Sequence, residues 1–445
     1  MRADNAQLLT PRWVDWRVQF QRFAPALALA ASRGSTVAAQ LLVQVVVGAL
    51  AGASGLGVLQ LFTSWSCMLG EVLAQGLPTR AMRTVAVKYS GGDAAWIRCE
   101  LRRATERILW AGFALAVIVL AMKFAAPGFL PGEQLGDYGL IAGAVLIAAP
   151  LFALLRLAAD SLKATDAALQ AVTLESLMMP LFILLTCAGC WLLGKPVLTV
   201  TLLIAGLVGF ALAPLGLMIA LRRRLDVCRP PARADHCDAL PLAGDLRSLW
   251  ANSVLSIVFL HMPFVVLPWY ADTAEIGIYA VAHKLVNIAT TLLILLAAVF
   301  GPAFARAAAA NDASTLRHLL QRTQRISMAI FVPIALGLLL ASGPLAKLFS
   351  VQAEVLRAYL LVLAAGHLIN AATGLPGILL NMAGAATLEL RTLVGSILVG
   401  IALAPVVGPV YGPLGLACLF SSTVVIKNLA SYAMAIRYTR QAANV

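Results

Sequence analysis

Apolar residues in this chain run in long unbroken stretches, not in the single stripe that a soluble helix turns toward its core. Stretches of about 18–25 residues carry a helix across a hydrocarbon layer about 30 Å thick. They predict twelve spans, at 35–52, 56–79, 108–126, 138–158, 170–193, 197–221, 248–270, 276–300, 327–348, 355–381, 392–410 and 413–436. Lipid offers backbone groups no partner, so each span must bond its own backbone and be helical. The narrowest divisions are Gly52-Ala53-Ser54-Gly55, between spans 1 and 2, and GPVYGP at 408–413, between spans 11 and 12.

Composition sharpens this picture. The 445 residues are 61% hydrophobic and only 12% charged, with a mean hydropathy of +0.89; soluble domains carry about 25% charged residues. The expected class is an all-α polytopic membrane protein. A net charge of +13 would point to nucleic acid in a soluble chain. Here most of the 33 Lys and Arg fall in alternate connections. The opposite side holds Glu133, Asp137, Asp272, Glu275 and Glu354, with only Lys123, Lys195, Lys347 and Arg357 near it. Basic connections stay cytoplasmic, so both termini are expected there, and no nucleic-acid partner is.

The polar start, 1–34, sets Trp13, Trp16, Phe20 and Phe23 on one helical face with Arg17 and Arg22 beside it. That pattern fits a helix lying in the cytoplasmic interface, with a flexible tail as the plainer reading, and it lacks a cleavage signal. The seven cysteines do not make a four-ligand zinc set. Cys187-Ala-Gly-Cys190 lies within an apolar span, and Cys228, His236 and Cys237 share one loop. No nucleophile–base pair or phosphate-binding loop appears, so no metal, cofactor or catalytic residue is expected.

The chain also repeats itself. LRRATERI at 101–108 returns as LQRTQRI at 320–326, each leading into an apolar run. SGLGVLQLF (54–62) resembles EIGIYAVAH (275–283), and the spans they open end at LPTRAMR (77–83) and GPAFARA (301–307). The predicted organisation is therefore a bundle of six spans at 35–221, a polar cytoplasmic loop at 222–247, a second bundle at 248–436, and a tail at 437–445. Parallel repeats let two bundles rock about a site near mid-membrane. The paired basic stretches then fix orientation, or draw an anionic headgroup toward the cytoplasmic entrance.

Charged and amide side chains inside spans are costly and usually face a cavity or a partner. Span 1 aligns Arg33, Gln40 and Gln44; span 2 aligns Gln60, Ser64, Glu71 and Gln75; span 8 carries His283, Lys284 and Asn287, with Thr290 and Thr291 beyond. Span 10 aligns His367, Asn370, Gly374, Gly377 and Asn381, and span 12 holds Lys427 and Asn428. The amides and small residues serve equally well as helix–helix glue. His261 points away from Asn252 and Ser256, as a packing histidine would, and Glu175 could pair within its bundle. The candidate cavity is thus lined by Lys284, Lys427, His283, Asn287, Gln40, Gln44, Arg33, His367 and Asn370. Lysine attracts phosphate as a point charge, while amides and imidazoles bond sugar hydroxyls. Glu71 is the candidate ion-coupling group, since burial moves a carboxylate toward neutrality.

Three stretches resemble the polysaccharide-export branch of the multidrug/oligosaccharidyl-lipid/polysaccharide (MOP) exporter superfamily. They are EIGIYAVAHKL (275–285) through VFGPAFARA (299–307), AAGHLINAATGLPGILLNMAGAATLELR (364–391), and YGPLGLACLFSSTVVIKNL (411–429). The N-terminal half fits less closely, through GASGLGVLQLF. The resemblance implies two six-helix bundles around a cationic cavity in a bacterial inner membrane. It also implies a Wzx-like flippase that turns polyprenyl-diphosphate-linked oligosaccharide from the cytoplasmic to the periplasmic leaflet. Membrane lipids and the pathway's polymerase and glycosyltransferases would be its partners, with O-antigen, capsule or exopolysaccharide as the end product. A multidrug exporter of the same superfamily is the alternative, although cationic drugs call for more intramembrane carboxylates than Glu71 and Glu175. A membrane polymerase or ligase would need a larger outward loop than 127–137.

Overall fold

A computed structural model describes residues 16–125, 136–227, 243–310 and 312–441. The side chains of 16–31, 33, 122–125, 136, 227, 243–249, 290–295 and 298 lie outside that description. All regular structure among the described residues is helical.

The N-terminal bundle comprises α1 (Trp16–Ala74), α2 (Leu77–Ser90), α3 (Ala94–Ala125), α4 (Gly136–Lys163), α5 (Ala168–Leu192) and α6 (Thr199–Val227). At its centre α4 packs on every other helix of the group. Next come α7 (Ala243–Val266), a single 3-10 turn at Leu267–Trp269, α8 (Thr273–Ala309), α9 (Ala313–Leu340) and α10 (Ser342–Leu348). The chain ends with α11 (Ala353–Thr373), α12 (Pro376–Met382) and α13 (Ala386–Gln441). In this second bundle α8, α9, α11, α12 and α13 pack together, while α7 bridges α13 and α1. Nine helices among the described residues are long and apolar enough to cross a membrane. Their outward faces are greasy: Leu340 is 85% exposed and Trp110 71%, an arrangement that belongs in lipid and not in water.

Two helices are double. α1 contains Gly52 at φ 67°, ψ −169°, and α13 contains Gly412 at φ 61°, ψ −160°. Only glycine adopts that conformation readily, so each kink separates two rods, at the two narrow divisions expected from sequence. Residues 16–34 are the first turns of α1, continuous with span 1, while 1–15 lie outside the described residues. Most of the polar loop between bundles, 228–242 with its Cys228, His236 and Cys237, also lies outside them.

Three expected spans need correction. Span 2 ends at Ala74, because Gln75 and Gly76 take positive φ (50° and 73°) before the separate helix α2 begins. Span 9 is α9 followed by the short α10. Span 10 is α11 and α12, broken at Gly374 (φ 73°), where a Cβ would come within 2.8 Å of Thr323 Oγ1. The stripe from His367 to Asn381 therefore does not lie on one helix.

The repeat has a physical centre. α1 and α8 cross with their backbones in contact at Gly57 and Gly277. A Cβ on Gly57 would collide with the Thr273 carbonyl, and one on Gly277 with the Ala53 carbonyl. Residue 57 stands to 277 as 53 stands to 273, so the contact is reciprocal, and the crossing is locally two-fold. It also fixes the register of the two similar segments, with Gly57 opposite Gly277. Glycine is required here because neither backbone leaves room for a methyl group.

Candidate functional site

A cavity of about 630 Å³ opens inside the C-terminal bundle between α7, α8, α11, α12 and α13. That volume falls in the roughly 300–1,000 Å³ range of ligand sites. His283 and Asn287 reach it from α8, where the Asn287 amide nitrogen lies 3.1 Å from His283 Nδ1, one turn away. Phe264 meets the His283 ring edge-on at 5.3 Å and Tyr279 stacks on it at 5.9 Å. α11 contributes His367 and Asn370; His367 Nδ1 is buried and has no hydrogen-bond partner among the described residues. An orphaned buried polar atom costs on the order of 1–3 kcal/mol, which a bound ligand could recover.

Lys427 lines the same cavity, but not as the free cation expected from sequence. Glu389, near the start of α13, forms an ion pair with it. The other carboxylate oxygen of Glu389 accepts a 2.6 Å hydrogen bond from Ser431 Oγ, and Ser431 also meets Thr392 at 3.0 Å. The correction has a simple cause. Glu389 precedes the apolar run of span 11, so the sequence reads it as solvated, whereas the fold returns α13 on itself at Gly412 and brings 389 beside 427.

The other expected residues lie elsewhere. Lys284 does not line the cavity: it is next to His283 on α8, turned about 100° around the helix, within electrostatic reach of Cys67 on α1. No acidic partner accompanies it among the described residues. Gln44 is buried on α1 with an unpartnered Oε1, and Gln40 is half-buried; neither reaches the C-terminal cavity. Arg33 belongs to α1, but its side chain is outside the described residues, as are those of Thr290 and Thr291.

Glu71 sits in a second polar centre, inside the N-terminal bundle. Arg156 of α4 lies 3.8 Å from Glu71, 3.7 Å from Asp160 and 3.1 Å from Glu175. Lys163 bonds Asp160 at 3.0 Å and Glu175 at 2.8 Å. Three carboxylates thus share two cations. Glu175 pairs within its bundle, whereas Arg156 and Asp160 escape sequence reasoning because they fall at the end of span 4, where charge is ordinarily solvated. His261 takes no part in either centre: its Nδ1 meets Ser64 Oγ at 3.0 Å, and Gln60 donates to the same oxygen at 2.9 Å. With Trp65 Nε1 donating to the Phe264 carbonyl at 2.8 Å, these bonds tie α7 to α1.

Comparison with known proteins places this architecture. Residues 109–352, more than half of the chain, match the model of the family described as polysaccharide biosynthesis protein. The structure is similar to an inward-facing multidrug resistance MATE family transporter of the MOP superfamily, with a TM-score of 0.71 and 16% identity over 92% of this chain and 96% of that one. It is also similar to the lipid II flippase MurJ in an inward closed conformation, with a TM-score of 0.60 and 13% identity over 93% and 91%. A third neighbour is a MOP superfamily transporter from Pyrococcus furiosus, described as having a binding pocket of reversed polarity, with a TM-score of 0.61 and 15% identity over 93% and 94%. No curated protein matches the chain. The helical spans, the crossing of the two halves and the family match lead to one conclusion: the chain is a multi-pass membrane protein with the MOP transporter fold, and it belongs to the polysaccharide biosynthesis protein family.

Proposed function

We propose that this protein is a flippase for polyprenyl-diphosphate-linked oligosaccharides in the cytoplasmic membrane of a bacterium, acting upstream of surface polysaccharide assembly. The observation that carries the reading is a cavity rich in amides and imidazoles, inside a transporter fold, in a chain of the polysaccharide biosynthesis family. Asn287, His283, His367 and Asn370 bond sugar hydroxyls there, with Lys427 held nearby. Lys284, the intramembrane ammonium without a carboxylate beside it among the described residues, meets the diphosphate between the bundles. Arg33, Gln40 and Gln44, all on α1, are the contribution of the N-terminal bundle to the cargo path, while the polyprenyl chain stays in lipid. Rocking of the bundles, which closes and parts the α1–α8 crossing, alternates access. The centre of Glu71, Arg156, Asp160, Lys163 and Glu175 carries one more acid than base, which suits coupling to a proton or sodium ion.

The same acid excess, together with the likeness to a multidrug transporter, favours drug export as the second reading; the family match weighs against it. Deletion of the gene should trap lipid-linked units facing the cytoplasm. Lys284→Ala should lower glycan export roughly 10- to 100-fold at unchanged protein level, because a hydrogen bond to a charged group contributes about 1.5–3 kcal/mol. Wild-type glycan output from the deletion strain would refute the flippase, and wild-type output from Lys284→Ala would refute the diphosphate contact.

A further inference from the structure

The Glu389–Lys427 pair decides what kind of glycan the C-terminal cavity accepts. Among the described residues these are the only two charged side chains in its lining, one of each sign. Glu389 is fixed from three sides: Lys427 forms the ion pair, Ser431 donates to it at 2.6 Å, and Gly377 of α12 packs so close that a Cβ there would lie 2.8 Å from the Glu389 carboxyl carbon. Gly377, Glu389, Lys427 and Ser431 thus build one rigid unit from three chain segments. Among the described residues the lining has no spare cation to receive an anion, and a carboxylate entering it would face Glu389. Around this unit the polar lining is dominated by Asn side chains, which offer both donors and acceptors, and Phe259 and Phe420 supply apolar surface.

We infer that the C-terminal cavity is a subsite for uncharged, hydroxyl-bearing sugars, kept neutral by Glu389, and that it discriminates against acidic sugars such as uronates. The inference rests on the flippase reading and adds to it. The glycan and the diphosphate occupy different places, the sugars in the C-terminal bundle and the phosphates at Lys284 between bundles. Glu389, unforeseen in the sequence, is the specificity-determining residue. Its carboxylate accepts bonds from sugar hydroxyls on the face not taken by Lys427 and Ser431.

The test compares two cargoes in proteoliposomes of the full chain: polyprenyl-diphosphate-linked oligosaccharides identical except for glucose or glucuronic acid at one position. The wild-type protein should flip the neutral cargo at least tenfold faster. Glu389→Gln, which strips Lys427 of its counter-charge, should reduce or reverse that preference. Asn381→Lys, which adds a cation at an exposed position of the lining, should shift the ratio the same way without touching the buried pair. The double variant Glu389→Gln, Lys427→Met restores neutrality and should restore preference for glucose. Equal flipping of both cargoes by the wild-type protein would overturn the inference, as would an unchanged ratio in Asn381→Lys. Flipping of neither cargo by the wild-type protein would instead overturn the flippase reading itself.

Discussion

The glycine crossing between α1 and α8 makes a quantitative prediction. In Gly57→Ala the new Cβ would lie 2.8 Å from the Thr273 carbonyl carbon, and in Gly277→Ala 2.9 Å from the Ala53 carbonyl carbon. Carbon–carbon contact is optimal at about 3.5–4.0 Å, so each methyl demands that the helices part by roughly 1 Å. Both listeners at this contact are backbone, which cannot rotate out of the way. Overpacking of this kind costs about 1–3 kcal/mol. That cost falls only on the conformation in which the crossing is closed, so the equilibrium should move toward the parted conformation by roughly 5- to 150-fold. The double variant should add less than the sum, since both methyls strain one shared contact. Spin labels at Ser54 and Trp269, both exposed near the crossing, would report the change by pulsed electron resonance in a background stripped of native cysteines. The expected result is a longer, broader distance distribution in each alanine variant and a matching loss of export. Wild-type distributions in both single variants would refute the claim that glycine is needed there to bring the bundles together.

Two further outcomes follow from the polar contacts. Arg156→Ala would leave Glu71, Asp160 and Glu175 with Lys163 as their remaining cation; Arg156 is half-buried, so the cost falls below the roughly 3–5 kcal/mol of breaking a fully buried pair. A clear fall in the thermal midpoint of the detergent-solubilised protein is expected, and an unchanged midpoint would count against the network. Asp312 caps α9, accepting bonds from the Thr315 hydroxyl and amide and from Ser314, and these bonds hold its carboxyl down at about 2 from an ordinary value of 3.8. A depressed acid contributes stability above its unfolded value and loses it as pH falls through the folded one. Protection of the amides in the first turn of α9, corrected for the intrinsic exchange rate at each pH, should therefore hold from pH 7 to about 5 and weaken as pH drops from about 4 toward 2; Asp312→Ala should abolish that dependence.

The site residues divide by how far their signal travels along the chain. His283 and Asn287 were legible because they are one turn apart on α8 and their polarity interrupts an apolar run. Lys427 is legible for the same reason, but its ion pair is not, since the partner that neutralises it lies 38 positions earlier and meets it only after α13 reverses at Gly412. Lys284 is adjacent to His283 in sequence, but neighbours on a helix point about 100° apart, so His283 lines the C-terminal cavity while Lys284 comes near Cys67 of α1. Arg156, Asp160 and Glu389 were hidden by position: charge at the end of an apolar run carries no sign of whether it meets water or a partner.

The all-helical membrane class was legible along the chain, because lipid imposes a local rule. Each segment must be long, apolar and self-bonded, and the two glycine breaks inside α1 and α13 obey an equally local constraint of backbone geometry. Which charges are free is not a local property. Ion pairing depends on side chains converging from separate helices, and convergence is set by packing, by the break at Gly374 and by the meeting of Gly57 with Gly277. No periodicity within a single span records those encounters.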